Sequence, residues 1–162
     1  MSNAIDDSTD EMFRNRTLSI GYLSRINFRM FDRVLEKHTS KHEMTTGQWR
    51  FLRVLWEQDD ITQKQLSDRA GTREATTVRT VNSLVKSGFV KRKPCPIDKR
   101  KSYIVLTSKA KKLRDVLIPK VIEANQEALK GINKRDYEKL RKLLSKTYSN
   151  MEDYLSRLES ES

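Results

Sequence analysis

Two threonine–glutamine pairs, Thr45/Gln48 and Thr62/Gln65, each open an apolar run, and together they commit the middle of this chain to closely spaced helices. In such a pair the threonine oxygen accepts from the backbone N–H three residues on, and the glutamine reaches back to the threonine's own N–H. Two donors orphaned by the helix start are satisfied at once. Met44 and Trp49 flank the first box, and Ile61 and Leu66 the second, at the spacing of a hydrophobic staple. The first box opens a helix that buries Trp49, Leu52, Val54, Leu55 and Trp56 and ends at the acidic turn 57–60. The second opens a short helix over about 63–70 that Gly71 ends. Thr72 is placed to cap a third helix over about 73–87, which Gly88 terminates as a left-handed residue. Two short helices joined at a glycine turn are a helix-turn-helix pattern.

Beyond Gly88 the texture changes. Phe89–Lys93 can run extended, the Pro94–Lys101 stretch with its two prolines cannot be helical, and Ser102–Leu106 is β-branched and aromatic. That predicts a hairpin with a long basic tip, a wing. Thr107 then caps a helix to about residue 130, ended by Gly131, with Pro119 predicted to kink it because the Asp115 carbonyl loses its donor. Asn133 caps a last helix whose apolar positions, Tyr137, Leu140, Leu144, Tyr148, Met151, Leu155 and Leu158, step by three and four. An amphipathic helix is also predicted over about 10–38, carrying Phe13, Ile20, Phe28, Phe31 and Leu35. The predicted fold class is mainly α with a small β-hairpin wing.

Charge is informative once it is located. Of 33 Lys and Arg and 22 Asp and Glu, residues 61–112 hold 14 and 3, and the rest of the chain balances at 19 each. One third of the protein carries the entire imbalance, and a polyanion is the expected partner. No apolar run approaches the roughly 18 residues of a membrane span. A single cysteine, Cys95, excludes an internal disulfide framework and suits a reducing cytoplasm. There is no Gly-rich phosphate loop, no Cys/His pairing and no carboxylate cluster for acid–base work, so the chain does not read as an enzyme. His38 and His42, four apart, have no further ligands beside them and do not read as a metal site. Cys95 lies in a cationic loop, where thiolate chemistry is favoured, but it has no resolving partner and reads as an ordinary loop cysteine. No cofactor is implied. Trp49 and Trp56 read as core.

The third helix can be divided into faces at about 100° per residue. With Val78 at the centre of the buried side, Val81, Leu84, Val85 and Ala75 join it. Arg73, Thr76, Thr80 and Ser83 then project outward, and Thr77 and Arg79 lie on the two flanks. An outer face of short hydroxyl side chains and an arginine allows close approach to base edges in a major groove about 12 Å wide. Arg73, Thr76, Thr77, Arg79, Thr80 and Ser83 are the predicted DNA-binding residues of this helix. In the wing they are joined by Arg92, Lys93, Lys99, Arg100 and Lys101. Asp98, the single acid there, stands two residues before Arg100 to orient its guanidinium toward a narrow minor groove.

The chain resembles the MarR (multiple antibiotic resistance regulator) family over roughly residues 12–158. The stretches that carry the resemblance are Met44-Thr45-Thr46-Gly47-Gln48-Trp49-Arg50-Phe51-Leu52 and Gln65-Leu66-Ser67-Asp68-Arg69-Ala70-Gly71. Thr76, Arg79, Val81, Leu84 and Gly88 follow at family spacing, then Asp98-Lys99-Arg100 and Tyr103-Ile104-Val105-Leu106-Thr107. The resemblance implies a bacterial transcriptional regulator, most often a repressor. It implies a homodimer with interleaved terminal helices, bound to a pseudo-palindromic duplex operator and relieved by a small aromatic ligand or by oxidation. Three positions depart from the family pattern: Arg73 stands for a common Ser, Asn82 for a usual Asp, and Ala110 for a Gly.

The domain organisation expected on these grounds is a disordered N-terminus over 1–9, an N-terminal dimerisation helix over 10–43, and a winged helix-turn-helix DNA-binding domain over 44–107. C-terminal dimerisation helices over 108–158 and a tail over 159–162 complete it. Phe13, Ile20, Tyr137, Leu140, Leu144, Met151 and Leu155 are the expected dimerisation residues. The competing class is a winged-helix module that binds a protein or structured RNA; the hydroxyl-rich outer face argues against a protein interface, where aromatics are expected.

Overall fold

Both capping boxes form. In each, the threonine hydroxyl accepts from the glutamine backbone N–H, at 3.1 Å for Thr45 and 3.2 Å for Thr62, and the glutamine side chain accepts from the threonine N–H at 3.0 and 2.9 Å. The computed structural model describes residues 15, 17, 19–94 and 102–161. In chain order it contains α1 (Ile20–Thr39), a 3₁₀ turn (Ser40–His42), α2 (Thr46–Glu57), β1 (Ile61–Thr62), α3 (Gln63–Ala70) and α4 (Glu74–Lys86). These are followed by β2 (Val90–Pro94), β3 (Ser102–Leu106), α5 (Ser108–Ala128) and α6 (Lys134–Ser160). The chain divides after Val121 into two units.

In the first unit a small antiparallel sheet of order β1-β3-β2 backs the helices. Ile61 pairs with Ile104, and Val90 with Leu106, so the inward positions of all three strands feed one core. That core holds Trp49, Leu52, Leu55, Leu66, Val81, Leu84, Phe89, Ile104, Ala110, Leu113 and Leu117, all buried. Truncating any of its leucines to alanine removes packing worth about 2–5 kcal/mol. Strand β1 was not expected. Ile61 and Thr62 were read as the staple and cap of α3, and they serve there and also bond to β3; two residues are too few to show a strand period.

Two glycines punctuate the motif as expected. Gly71 at φ 61° ends α3, with the Thr72 N–H reaching the Ser67 carbonyl at 3.1 Å. Gly88 at φ 71° ends α4, where Gly88 and Phe89 donate to Val85 and Leu84, at 3.0 and 2.9 Å. That is a Schellman closure, and it needs a residue without a Cβ penalty in the left-handed region. Phe89 is thereby delivered into the core.

Trp49 and Trp56 meet edge-on, with ring centroids 5.2 Å apart. The Trp56 indole N–H donates to the Ala110 carbonyl at 3.1 Å and ties α2 to the first turns of α5. The α5 helix starts at Thr107, whose hydroxyl accepts from the Ala110 N–H, and it continues through Pro119. In the second unit Asn133 caps α6 by accepting from the Asp136 N–H at 2.9 Å. No residue of α6 is buried. Among the described residues no helix is long and apolar enough to cross a membrane.

Candidate nucleic-acid interface

Helix α4 and strand β2 carry the candidate interface, and a chain of hydroxyls fixes how α4 is turned. Ser67, almost fully buried on α3, donates to the Thr72 carbonyl at 2.7 Å. Thr77 is fully buried on α4; its hydroxyl lies 3.3 Å from the Arg73 carbonyl and 3.0 Å from the Thr72 hydroxyl. With its single proton on the Arg73 carbonyl, Thr77 accepts from Thr72. Each polar atom in this turn is answered as it leaves water, which is the condition for burying it.

This arrangement corrects three expectations. Thr72 does not cap α4: the cap residue is Arg73, with no side-chain hydrogen bond, because the Thr72 hydroxyl is engaged by Thr77. Thr77 cannot touch DNA, since it is an interior residue. The buried face is also rotated from the one centred on Val78. Thr77, Val81 and Leu84 are buried, whereas Val78 and Val85 are each 38% exposed. At about 100° per residue the centre of the core moves by roughly 90°, and the opposite face is then centred on Arg79. Arg79 moves from flank to middle. Ala75, Thr76, Asn82, Ser83 and Lys86 surround it, all exposed. Thr80 is half-buried and its hydroxyl donates back to the Thr76 carbonyl at 3.0 Å. Arg73 stands exposed just before the first turn.

The two edges of this face are braced. On one edge the buried Gln48 amide donates to Ser83 at 2.9 Å and to Ser87 at 3.4 Å, while its oxygen completes the capping box. One side chain therefore starts α2 and holds α4. On the other edge the Arg92 guanidinium donates to the Asn82 side-chain oxygen at 2.8 Å. Gln48 had been read only as a capping residue and Asn82 only as a departure from the family pattern. The sequence offered no means of seeing these partners, 35 and 10 residues away.

Arg92 and Lys93, predicted together, leave opposite faces of the hairpin. Arg92 pairs in register with the buried Ile104 and faces α4; Lys93 pairs with Tyr103 and turns to Asp60, 2.8 Å away. The hydrogen bond that it donates to Asp60, and then the charge of Asp60, hold the Lys93 ammonium above its ordinary pKa, so it stays protonated and locally balanced. Asp60 sits at φ 58° in a turn whose other acid, Asp59, accepts from the Leu106 N–H at 2.9 Å and pairs with Lys111 at 3.2 Å. The acidic turn thus clamps the base of the wing. The predicted tip residues Asp98, Lys99, Arg100 and Lys101, together with Cys95 and Phe13, lie outside the described residues.

Of the expected dimerisation residues, Ile20, Tyr137, Leu140, Leu144, Met151 and Leu155 are all exposed apolar side chains, Met151 to 63% and Ile20 to 51%. His38 and His42 are half-buried, and among the described residues no group of three or more His, Cys, Asp or Glu is placed to hold a metal.

Comparison with known proteins agrees with this geometry. Residues 44–102, from the residue before the first capping box to the start of β3, match the model of the MarR family. A MarR transcriptional regulator from Methanosarcina mazei Go1 superimposes with a TM-score of 0.74 at 26% identity, over 83% of this chain and 90% of that one. A probable transcriptional regulator from Pseudomonas aeruginosa gives a TM-score of 0.74 at 24% identity, over 82% and 99% of the two chains. The PcaV transcriptional regulator from Streptomyces coelicolor, solved in complex with its natural ligand, shares the fold with a TM-score of 0.74 at 20% identity, over 82% and 94%. Residues 44–102 of this chain thus match the MarR family, and the fold around them is that of MarR-family transcriptional regulators.

Proposed function

We propose that the chain is a sequence-specific repressor that binds duplex DNA as a homodimer, with one α4 helix in each major groove of a pseudo-palindromic operator. The observation that carries this reading is the outward face of α4. From Ala75 to Lys86 the helix contains no acid, and its exposed centre is Arg79, bordered by small side chains that let backbone and bases approach. Arg79 is suited to a bidentate contact with guanine, Thr76 and Ser83 to base edges or a thymine methyl, and Arg73 and Arg92 to phosphates at the two ends of the face. Lys99, Arg100 and Lys101, which follow β2 in sequence, are proposed as the minor-groove cations, and Asp98 as the acid that orients Arg100. The exposed apolar residues of α1 and α6 support the homodimer, because faces of this size on a lone chain favour association.

Relief by a small aromatic ligand or by oxidation, as the family resemblance implies, is part of the same proposal; that the Streptomyces coelicolor regulator was solved with its natural ligand supports a ligand response in this fold. The direct experiment is selection of bound sequences from random duplexes, followed by competition. The selected duplex should displace a labelled copy far better than a scrambled duplex or RNA of equal length. Equal competition by RNA would move the chain to the class of winged-helix RNA binders.

A further inference from the structure

Besides the Gln48 amide, four contacts that each involve a cationic side chain brace the elements around α4, and they differ in charge. Away from the outward face of α4 the braces are ion pairs: Arg50 with Asp32 at 2.8 Å, Lys93 with Asp60 at 2.8 Å, and Lys111 with Asp59 at 3.2 Å. On that face the brace is neutral. The Arg92 guanidinium rests on the Asn82 amide oxygen, 2.8 Å away, and both residues are exposed. A carboxylate at position 82 could accept the same hydrogen bond and would hold it more strongly. It would also cancel the arginine's charge, which an amide does not.

We infer that Asn82 is a positioning residue which fixes the Arg92 guanidinium, and with it strand β2 of the wing, against α4 while leaving its full charge for a DNA phosphate. This rests on the DNA-binding reading above. The rigid guanidinium fork explains the economy of the arrangement. Arg92 has five N–H donors, and the bond to Asn82 uses one of its nitrogens on an exposed side chain, which leaves donors for a phosphate. A phosphate oxygen arriving at that surface meets a preoriented, uncompensated cation. Acid braces elsewhere in the domain cost nothing in this respect, because they sit away from the outward face.

The test uses the full-length protein, a selected duplex and a scrambled duplex, titrated across several salt concentrations. Asn82→Asp keeps the shape and the acceptor, so thermal unfolding should match or exceed that of the unaltered chain. Its affinity should nevertheless fall about fivefold to tenfold near 0.1 M salt, on both duplexes alike, with about one unit lost from the salt slope. Asn82→Ala should retain most of the slope, since the charge remains, but should bind both duplexes about twofold to threefold more weakly, since the guanidinium is no longer held. The decisive arm repeats Asn82→Asp in an Arg92→Gln background, where no guanidinium is left to neutralise; there the further loss should be less than about twofold. An equal loss in both backgrounds means that the carboxylate simply repels DNA, and it overturns the positioning role. So does an affinity of Asn82→Ala equal to that of the unaltered chain on both duplexes. Absence of duplex binding by the unaltered chain instead overturns the DNA-binding reading and this inference with it.

Discussion

The hydroxyls of Thr72 and Thr77 lie 3.0 Å apart and close the turn between the two helices of the motif from the inside. Thr77 is fully buried and also donates to the Arg73 carbonyl, so the hydroxyl is a structural group. Thr77→Val keeps the volume and removes both bonds, leaving the Thr72 hydroxyl short of a partner, while the Arg73 carbonyl keeps the Thr76 and Thr77 N–H groups. A stability loss of about 1–3 kcal/mol is expected in urea unfolding. The ratio of affinities for the selected and scrambled duplexes should stay constant. A changed ratio with unchanged stability would return Thr77 to the DNA surface.

Rotation of the helix about its buried Thr77–Val81–Leu84 stripe places Arg79 where sequence discrimination is expected. Arg79→Ala should cost about 1–3 kcal/mol on the selected site and relax selectivity at one base pair in each half-site. Arg73→Ala should weaken both duplexes by a similar factor, as loss of a phosphate contact does. Paired titrations of the two variants separate these outcomes. Selectivity that follows Arg73 and ignores Arg79 would contradict the orientation of α4.

The same helix shows what the residues made legible and what they did not. Its ends could be read, because Gly71 and Gly88 at left-handed angles follow local rules that need no partner. The capping boxes before α2 and α3 were equally local. Its azimuth could not be read. Valine and threonine have nearly the same shape, and a threonine is core or surface according to whether another residue answers its hydroxyl. Hydrophobicity alone therefore chose Val78 and Val85 over Thr77. The spacing Thr77, Val81, Leu84, continuing to the delivered Phe89, was the available signal, and it had been outweighed by the valines. Strand β1 was hidden for another reason: its pairing to β3 joins residues more than forty apart. Gln48 and Asn82 are readable as cap and as surface, but their contacts with Ser83 and Arg92 are tertiary.

Gln48 is the residue whose loss should uncouple α2 from α4. Gln48→Met preserves bulk while removing the acceptor for the Thr45 N–H and the donor to Ser83 and Ser87. About 1–3 kcal/mol of stability is expected to go, the sum of half a capping box and a buried side-chain bond. Ser87→Ala alone should cost much less, because its contact with Gln48 is the longer of the two at 3.4 Å. Comparable losses for the two variants would mean that the amide contributes little beyond its volume.

The proposed homodimer is expected to assemble through α6. Tyr137, Leu144, Met151 and Leu158 recur every seven residues, with Leu140 and Tyr154 between them, and every one is exposed by 40% or more on the lone chain. A strict seven-residue apolar stripe on a 27-residue helix is a seam for another helix. Burying a leucine-sized side chain there is worth roughly 1.5–3 kcal/mol, and a symmetric dimer counts each position twice. Met151→Lys should therefore introduce two unpaired ammonium groups at the seam and shift the protein toward monomer at micromolar concentration. Lys146→Glu also changes a charge on α6, but at a position outside the stripe, and should leave assembly intact. Sedimentation equilibrium of the three proteins checks this. The monomeric variant should also bind an operator half-site with the affinity of the unaltered chain for that half-site, while losing the gain from the second. A stable monomer in the unaltered protein, or a dimer indifferent to Met151→Lys, would show that this stripe is not the seam.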